Sequence, residues 1–137
     1  MRTVADEAGR RYLLLKQSDE SWLVRDPATG ETTHRPAAAL TVVDGESPLE
    51  TAARGAPDAV RDRLARPSER AVGLLVEIHR RQPVGVRDLL AAVDLCESDL
   101  HGLLAEFRAA GLVAETTVVG ERGYETTERT AALFADT

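Results

Sequence analysis

The most informative part of the chain is the segment 86–113, which reads VRDLLAAVDLCESDLHGLLAEFRAAGLV. Apolar side chains recur three and four residues apart in two runs, a spacing typical of helices packed on one face. The runs are Val86, Leu89, Leu90 and Val93, then Leu100, Leu103, Leu104 and Phe107. This pattern predicts helices over 86–93 and 97–110, separated by a tight turn at 94–96. Gly111 is expected to end the second of them with a left-handed backbone.

Regular patterns extend from this segment on both sides. Ser68 can cap a preceding helix that runs to Arg81, because its hydroxyl can accept a hydrogen bond from a free backbone N–H. Alternation over 113–119 predicts a strand, and the two glycines within 120–123 predict the tip of a hairpin with a short returning strand. Thr127 then caps a short closing helix.

Three helices, a β-hairpin and a closing helix in this order resemble winged helix-turn-helix domains of the MarR/ArsR type. The most specific part of the likeness is the exit from the third helix, Ala110-Gly111-Leu112-Val113. The resemblance covers residues 67–137, and the whole chain is similar to small winged-helix proteins of haloarchaea. It implies a transcription regulator that binds double-stranded DNA. We expect a homodimer, since two-fold symmetry places two recognition helices on two half-sites.

The third helix holds most of the candidate DNA contacts, because an α-helix fits the major groove. The candidates are Glu97, Ser98, His101, Gly102 and Arg108 on this helix, Arg122 at the wing tip and Arg87 on the second helix. Arg70, Arg80 and Arg81 of the first helix are further candidates for phosphate contacts. Glu97 has two readings. It either complements the helix dipole, as Asp99 does, or accepts from a cytosine amino group.

The N-terminal part predicts a small antiparallel sheet over residues 2–44 and helical turns over 48–66. The fold class is therefore α+β, with a β-sheet domain at 1–46, a helical connector at 47–66 and the winged helix at 67–137. The arginines of the sheet are expected to form a solvated basic face, with contact to nucleic acid as the alternative. They are Arg10, Arg11, Arg25 and Arg35.

The charge distribution supports an alternative function. The chain has 17 basic and 23 acidic residues, a net charge of −6. Residues 1–66 hold 10 basic and 11 acidic residues, a net of −1, and residues 67–137 hold 7 and 12, a net of −5. Because phosphate attraction needs positive charge, the alternative is an acidic winged-helix adaptor that binds proteins and not DNA. Arginine accounts for 16 of the 17 basic residues, which indicates either codon bias or a salt-rich cytoplasm.

Other function classes lack their sequence signals. No phosphate loop, dinucleotide fingerprint or HExxH is present, so we expect neither an enzyme nor a cofactor. The single Cys96 fits a reducing cytoplasm and either caps the third helix or acts as a redox switch. Glu97 and His101 could supply two metal ligands, but no further histidine has ligand spacing, so we expect no metal. No apolar run is long enough for a membrane span, and no signal segment is evident.

Overall fold

The computed structural model describes residues 1–64 and 68–135, and the first part of the chain is an antiparallel sheet. Its strands are β1 (Arg2–Ala5), β2 (Arg11–Gln17), β3 (Ser21–Arg25), β4 (Thr32–Pro36) and β5 (Thr41–Val42). They lie in the order β4-β3-β2-β1-β5. Gly9 and Gly30 permit two of the turns, since residues with a Cβ rarely adopt their φ angles of +83° and +79°. The sheet predicted over 2–44 and the α+β fold class are confirmed.

The connecting segment contains two short helices, α1 (Pro48–Ala52) and α2 (Asp58–Arg61), with a 3-10 turn at Ala53–Gly55. Ser47 caps α1, because its hydroxyl accepts from the backbone N–H of the second helical residue at 3.2 Å. The helical turns predicted over 48–66 are present up to the end of α2. The last two residues of that range, and the domain boundary between 66 and 67, lie outside the described residues.

Helix α3 (Glu69–Arg81) lies at the centre of the fold. Ser68 caps it as predicted, accepting a hydrogen bond from the backbone N–H of Ala71 at 3.1 Å. Helix α1 crosses α3 so closely that a Cβ on Gly73 would collide with the carbonyl oxygen of Leu49. The glycine in the middle of α3 is therefore required by the contact between the two helices.

The last part of the chain surrounds a second, smaller sheet. Its elements are β6 (Val84–Gly85), α4 (Val86–Ala92), α5 (Glu97–Ala109), β7 (Val113–Val118), β8 (Glu121–Thr126) and α6 (Glu128–Ala135). The strands have the order β6-β8-β7, and Gly111 ends α5 with a φ of +73° as predicted. The sequence predicts each of these elements except β6. No helix in the described ranges is long and apolar enough to cross a lipid bilayer.

The hairpin between β7 and β8 turns at Val119 and Gly120, so the tip predicted over 120–123 is wrong. Gly123 instead lies within β8, facing β6. A Cβ at this position would lie 2.7 Å from the carbonyl oxygen of Val84. The second glycine of the segment therefore serves the close approach of two strands and not the turn.

Two groups of apolar side chains form the interior. The larger group includes Leu49 and Val60 of the connecting segment together with Leu74, Leu100 and Phe107 of the C-terminal helices. The smaller group lies on the N-terminal sheet and consists of Val4, Tyr12, Leu14, Val24 and Leu40. The connecting segment thus packs into the C-terminal core and is continuous with it.

A buried ion pair joins the N-terminal sheet to α3. Arg25 donates to Glu77 through Nη1 at 2.8 Å and Nη2 at 2.7 Å, and Arg81 donates to it through Nε at 2.9 Å. The side chains of Arg25 and Glu77 are only 5% and 0% exposed. Burial lowers the pKa of Arg25, against the opposing effect of Glu77. The prediction that Arg25 belongs to a solvated face is wrong, because its side chain is buried. Local sequence patterns do not reveal this burial, since the partner Glu77 lies 52 residues away in the sequence.

Candidate nucleic-acid interface

Helix α5 leaves one long face open to solvent. Leu100, Leu104 and Phe107 are buried in the core, and Leu103 is half-buried beside them, which fixes the orientation of the helix. The exposed residues include Glu97, Ser98, His101, Gly102, Ala105 and Arg108. The structure therefore brings all five candidate contact residues of this helix to its exposed side.

Gly102 lies in the middle of this exposed face, and its packing does not require a glycine. A Cβ at this position would meet no atom within 4 Å. Glycine inside a helix costs about 0.5–1 kcal/mol relative to alanine. This glycine therefore lowers the stability of the helix. Its lack of a side chain also leaves the backbone open to the close approach of another molecule.

Two candidate phosphate contacts meet at one carboxylate. Arg108 Nη1 lies 3.0 Å from Glu115 Oε1, and Arg122 Nε lies 3.9 Å from the same oxygen. The hydroxyl of Tyr124 donates to that oxygen at 3.5 Å. Burial, and then the charge of Glu115, raise the pKa of Tyr124, so its hydroxyl stays protonated. Glu115 thus connects α5 to the hairpin. In the sequence, only the alternation along β7 could have pointed to this contact.

The remaining candidate cation, Arg87, lies close to the start of β8, where its backbone N–H donates to Glu121 Oε1 at 3.4 Å. Arg87 is exposed near the start of α4, and its guanidinium forms no ion pair within residues 1–64 and 68–135. Arg122 lies inside β8 opposite Thr117, so its predicted place at the wing tip is wrong. The tip instead carries Val119, which is fully exposed and has a φ of +49°.

The three arginines of α3 have contacts within the protein. Arg70 Nη2 lies 3.3 Å from Asp94 Oδ2, and Arg81 donates to Glu77. The guanidinium of Arg80 lies against Gly30. These side chains connect α3 to its neighbours and do not join the exposed face of α5.

The start of α5 is acidic and holds the two possible metal ligands. Glu97 Oε1 lies 3.6 Å from His101 Nε2 on the next turn. Among the residues that the structure describes, no three His, Cys, Asp or Glu side chains are grouped to hold a metal ion. Cys96 precedes the helix, but its side chain caps no backbone N–H and its Sγ lies 3.4 Å from Ser98 Oγ. Cys96 thus occupies the N-cap position, as predicted, but it does so without a hydrogen bond from its side chain to the helix backbone.

The surface formed by α5, the hairpin and α6 is acidic overall. Residues 97–135 contain seven carboxylates and three arginines, a net charge of −4. In dilute salt this charge opposes the approach of phosphates, which supply most non-specific affinity for DNA. Any binding of DNA here must rely on local arginines, shape and base contacts.

The chain thus combines an antiparallel five-stranded sheet with a unit whose order is helix, strand, two helices, hairpin and helix, and whose helix α5 is exposed. It belongs to a family described as "Family of unknown function (DUF7346)", which matches residues 1–135. No curated protein and no solved structure matches the chain. Because the family match spans both sheets, the N-terminal and C-terminal parts belong to one family unit.

Proposed function

We propose that this protein is a DNA-binding transcription regulator and that its residues 68–135 act as a winged helix-turn-helix domain. One observation carries the proposal. Helix α5 follows α4 after a tight turn and presents an open face beside the β7–β8 hairpin. In such an arrangement the helix enters the major groove while the hairpin reaches the flanking backbone.

The proposal gives each exposed residue a role. Ser98 and His101 hydrogen-bond to base edges, and Gly102 lets the helix backbone approach the groove floor. Glu97 either accepts from a cytosine amino group or complements the helix dipole. The phosphate contacts are Arg87, Arg108 and Arg122.

The acidic charge sets the conditions under which this regulator works. The protein acts in the cytoplasm as a homodimer, at a salt concentration high enough to screen the repulsion between its carboxylates and DNA. Arg108 and Arg122 leave Glu115 as they engage phosphates. Replacing this carboxylate, in Glu115→Gln, then strengthens DNA binding about three- to tenfold at low salt. Weaker binding by this variant, measured by fluorescence anisotropy, would contradict the role of the two arginines.

The direct test is a selection of genomic fragments by the purified protein in potassium chloride from low to molar concentration. A shared palindrome is expected, with binding lost in His101→Ala and Arg122→Ala. His34→Ala and Lys16→Ala are matched controls, because both residues are exposed on the N-terminal sheet. Enrichment of no fragment at any salt concentration, or equal loss in the controls, would reject the proposal.

A second candidate is a protein-interaction adaptor that uses the same face without binding DNA. The shared engagement of Arg108 and Arg122 by Glu115 favours it, since both cations already have a partner. A basic protein would then be captured by the wild type and lost in a double variant, Glu97→Gln with Glu106→Gln. Asp19→Asn with Glu20→Gln, in the turn after β2, is the control. Capture that is insensitive to the first pair would exclude this face as the adaptor surface.

A further inference from the structure

A pocket opens where the N-terminal sheet meets the C-terminal end of α3. Its volume is about 390 Å³, within the range of small-molecule sites. The sheet side contributes Leu15, Arg25 and Thr32, and α3 contributes His79, Arg80 and Arg81. The pocket is therefore lined by three guanidinium groups, one imidazole, one hydroxyl and one apolar side chain.

The pocket is a positive region in an acidic chain. Glu77 is the carboxylate that accepts hydrogen bonds from Arg25 and Arg81, while the charges of Arg81 and Arg80 add to burial in lowering the pKa of Arg25. Three guanidinium groups around one carboxylate leave a local charge of +2, whereas the whole chain has a net charge of −6. Such a concentration of positive charge attracts anions.

Arg80 is the guanidinium without a partner in this cluster. Within the described residues it forms no ion pair and donates no hydrogen bond, while Arg25 and Arg81 both bind Glu77. A Cβ on Gly30 would lie 2.6 Å from Arg80 Cζ, and a Cβ on Gly55 would lie 3.0 Å from Nη2. The two glycines therefore leave room for the guanidinium beside the pocket.

We propose that this pocket binds a small molecule through a carboxylate or phosphate group, with Arg80 as the principal anchor. The planar guanidinium offers paired N–H donors to two oxygens of such a group. The Thr32 hydroxyl provides a further donor, and Leu15 contacts the apolar part of the molecule. The site does not include α5 or the hairpin, so it is independent of the proposed DNA interface.

The test titrates the ¹⁵N-labelled full chain with inorganic phosphate and, separately, with malonate, at constant ionic strength set by potassium chloride. Saturable shifts are expected at the amides of Gly30, Thr32 and Arg80. Arg80→Gln weakens binding about tenfold or more. Arg129→Gln, which removes an exposed arginine from α6, leaves it unchanged. Saturation by phosphate alone or malonate alone identifies the preferred group, and saturation by both supports the shared chemistry.

Two results would overturn the proposal. One is the lack of saturable shifts at these amides with either anion, and the other is unchanged affinity in Arg80→Gln. If that variant does not fold, Arg80→Lys keeps the charge but removes the paired donors, so binding must still weaken. Equal affinity of Arg80→Lys and the wild type would then reject Arg80 as the anchor. Neither titration contains DNA, so a failure here leaves the regulator proposal intact.

Discussion

The N-terminal sheet and the C-terminal unit use their polar residues in opposite ways. The sheet has a small apolar core and is tied to the rest of the chain by buried polar contacts, namely Arg25 with Glu77 and Thr3 with Thr51 at 2.8 Å. The C-terminal unit has the larger apolar core, and its polar residues on α5 point to solvent. The comparison indicates that the sheet depends on α3 for stability, while the C-terminal unit has a face free for binding.

The largest expected effect comes from breaking the connection between the two parts. Glu77→Gln removes the charge that Arg25 faces in the interior, and an unpaired buried charge costs about 3–5 kcal/mol. Urea unfolding measures this loss. Asp44→Asn removes a carboxylate from an exposed pair with Arg2, joined at 3.7 Å, and is expected to change stability hardly at all. Similar losses in the two variants would show that the buried pair does not hold the sheet to α3.

The second-largest expected effect on stability comes from a glycine-to-alanine substitution, made once in α3 and once in α5. Gly73→Ala places a methyl group against the Leu49 carbonyl and is expected to destabilise the protein by about 2 kcal/mol. Gly102→Ala meets no neighbour and is expected to stabilise it by about 0.5–1 kcal/mol. The same alanine at Gly102 should weaken DNA binding, since it blocks the close approach. A more stable variant with unchanged DNA affinity would remove Gly102 from the interface.

The position of the hairpin tip gives a smaller effect. Val119→Asn is expected to raise the free energy of unfolding by about 1 kcal/mol, because Asn-Gly suits a two-residue turn and valine does not tolerate positive φ. Val118→Asn, on the half-buried end of β7, should lower stability. Thermal unfolding of both variants distinguishes the observed turn from one centred on 120–123, for which Val119 lies in a strand and Val119→Asn would destabilise.

The smallest expected effect is on pH dependence. Burial, and then the charge of Arg80, lower the pKa of His79 below its ordinary value of about 6.5. The unfolded chain therefore binds the proton more tightly, so stability falls as the pH drops through about 6.5. Urea unfolding at pH 7.5 and 5.5 should show a difference that shrinks in His79→Gln by less than about 1 kcal/mol. An equal difference in both proteins would contradict the assignment to His79.

Local patterns were sufficient for most of the fold, and contacts between distant residues were not. Ser68 and Gly111 mark helix ends through hydrogen bonds and φ angles that involve only neighbouring residues, so the sequence predicts both. Strand β6 has only two residues and forms by pairing with β8, far along the chain, so no periodicity reveals it. The sequence places Gly123 in the turn for the same reason, since its actual role is set by contact with β6.

The same distinction between local patterns and contacts of distant residues applies to the candidate site. The apolar stripe of α5 fixes which side faces outward, so exposure of Ser98 and His101 follows from the sequence. The meeting of Arg108 with Arg122 at Glu115 depends on how the hairpin folds back beside the helix. Sequence spacing therefore finds the exposed helix face but does not show that its arginines share a carboxylate.

The most direct test of the account asks which of the two parts touches DNA. The fragment recovered by selection is added to the ¹⁵N-labelled protein, and the shifted backbone amides are mapped. The account predicts shifts along the exposed side of α5 and at the hairpin around Arg122, although the N-terminal part is the less acidic of the two. Shifts confined to the N-terminal sheet, or no shifts with any fragment, would contradict the assignment of DNA binding to α5.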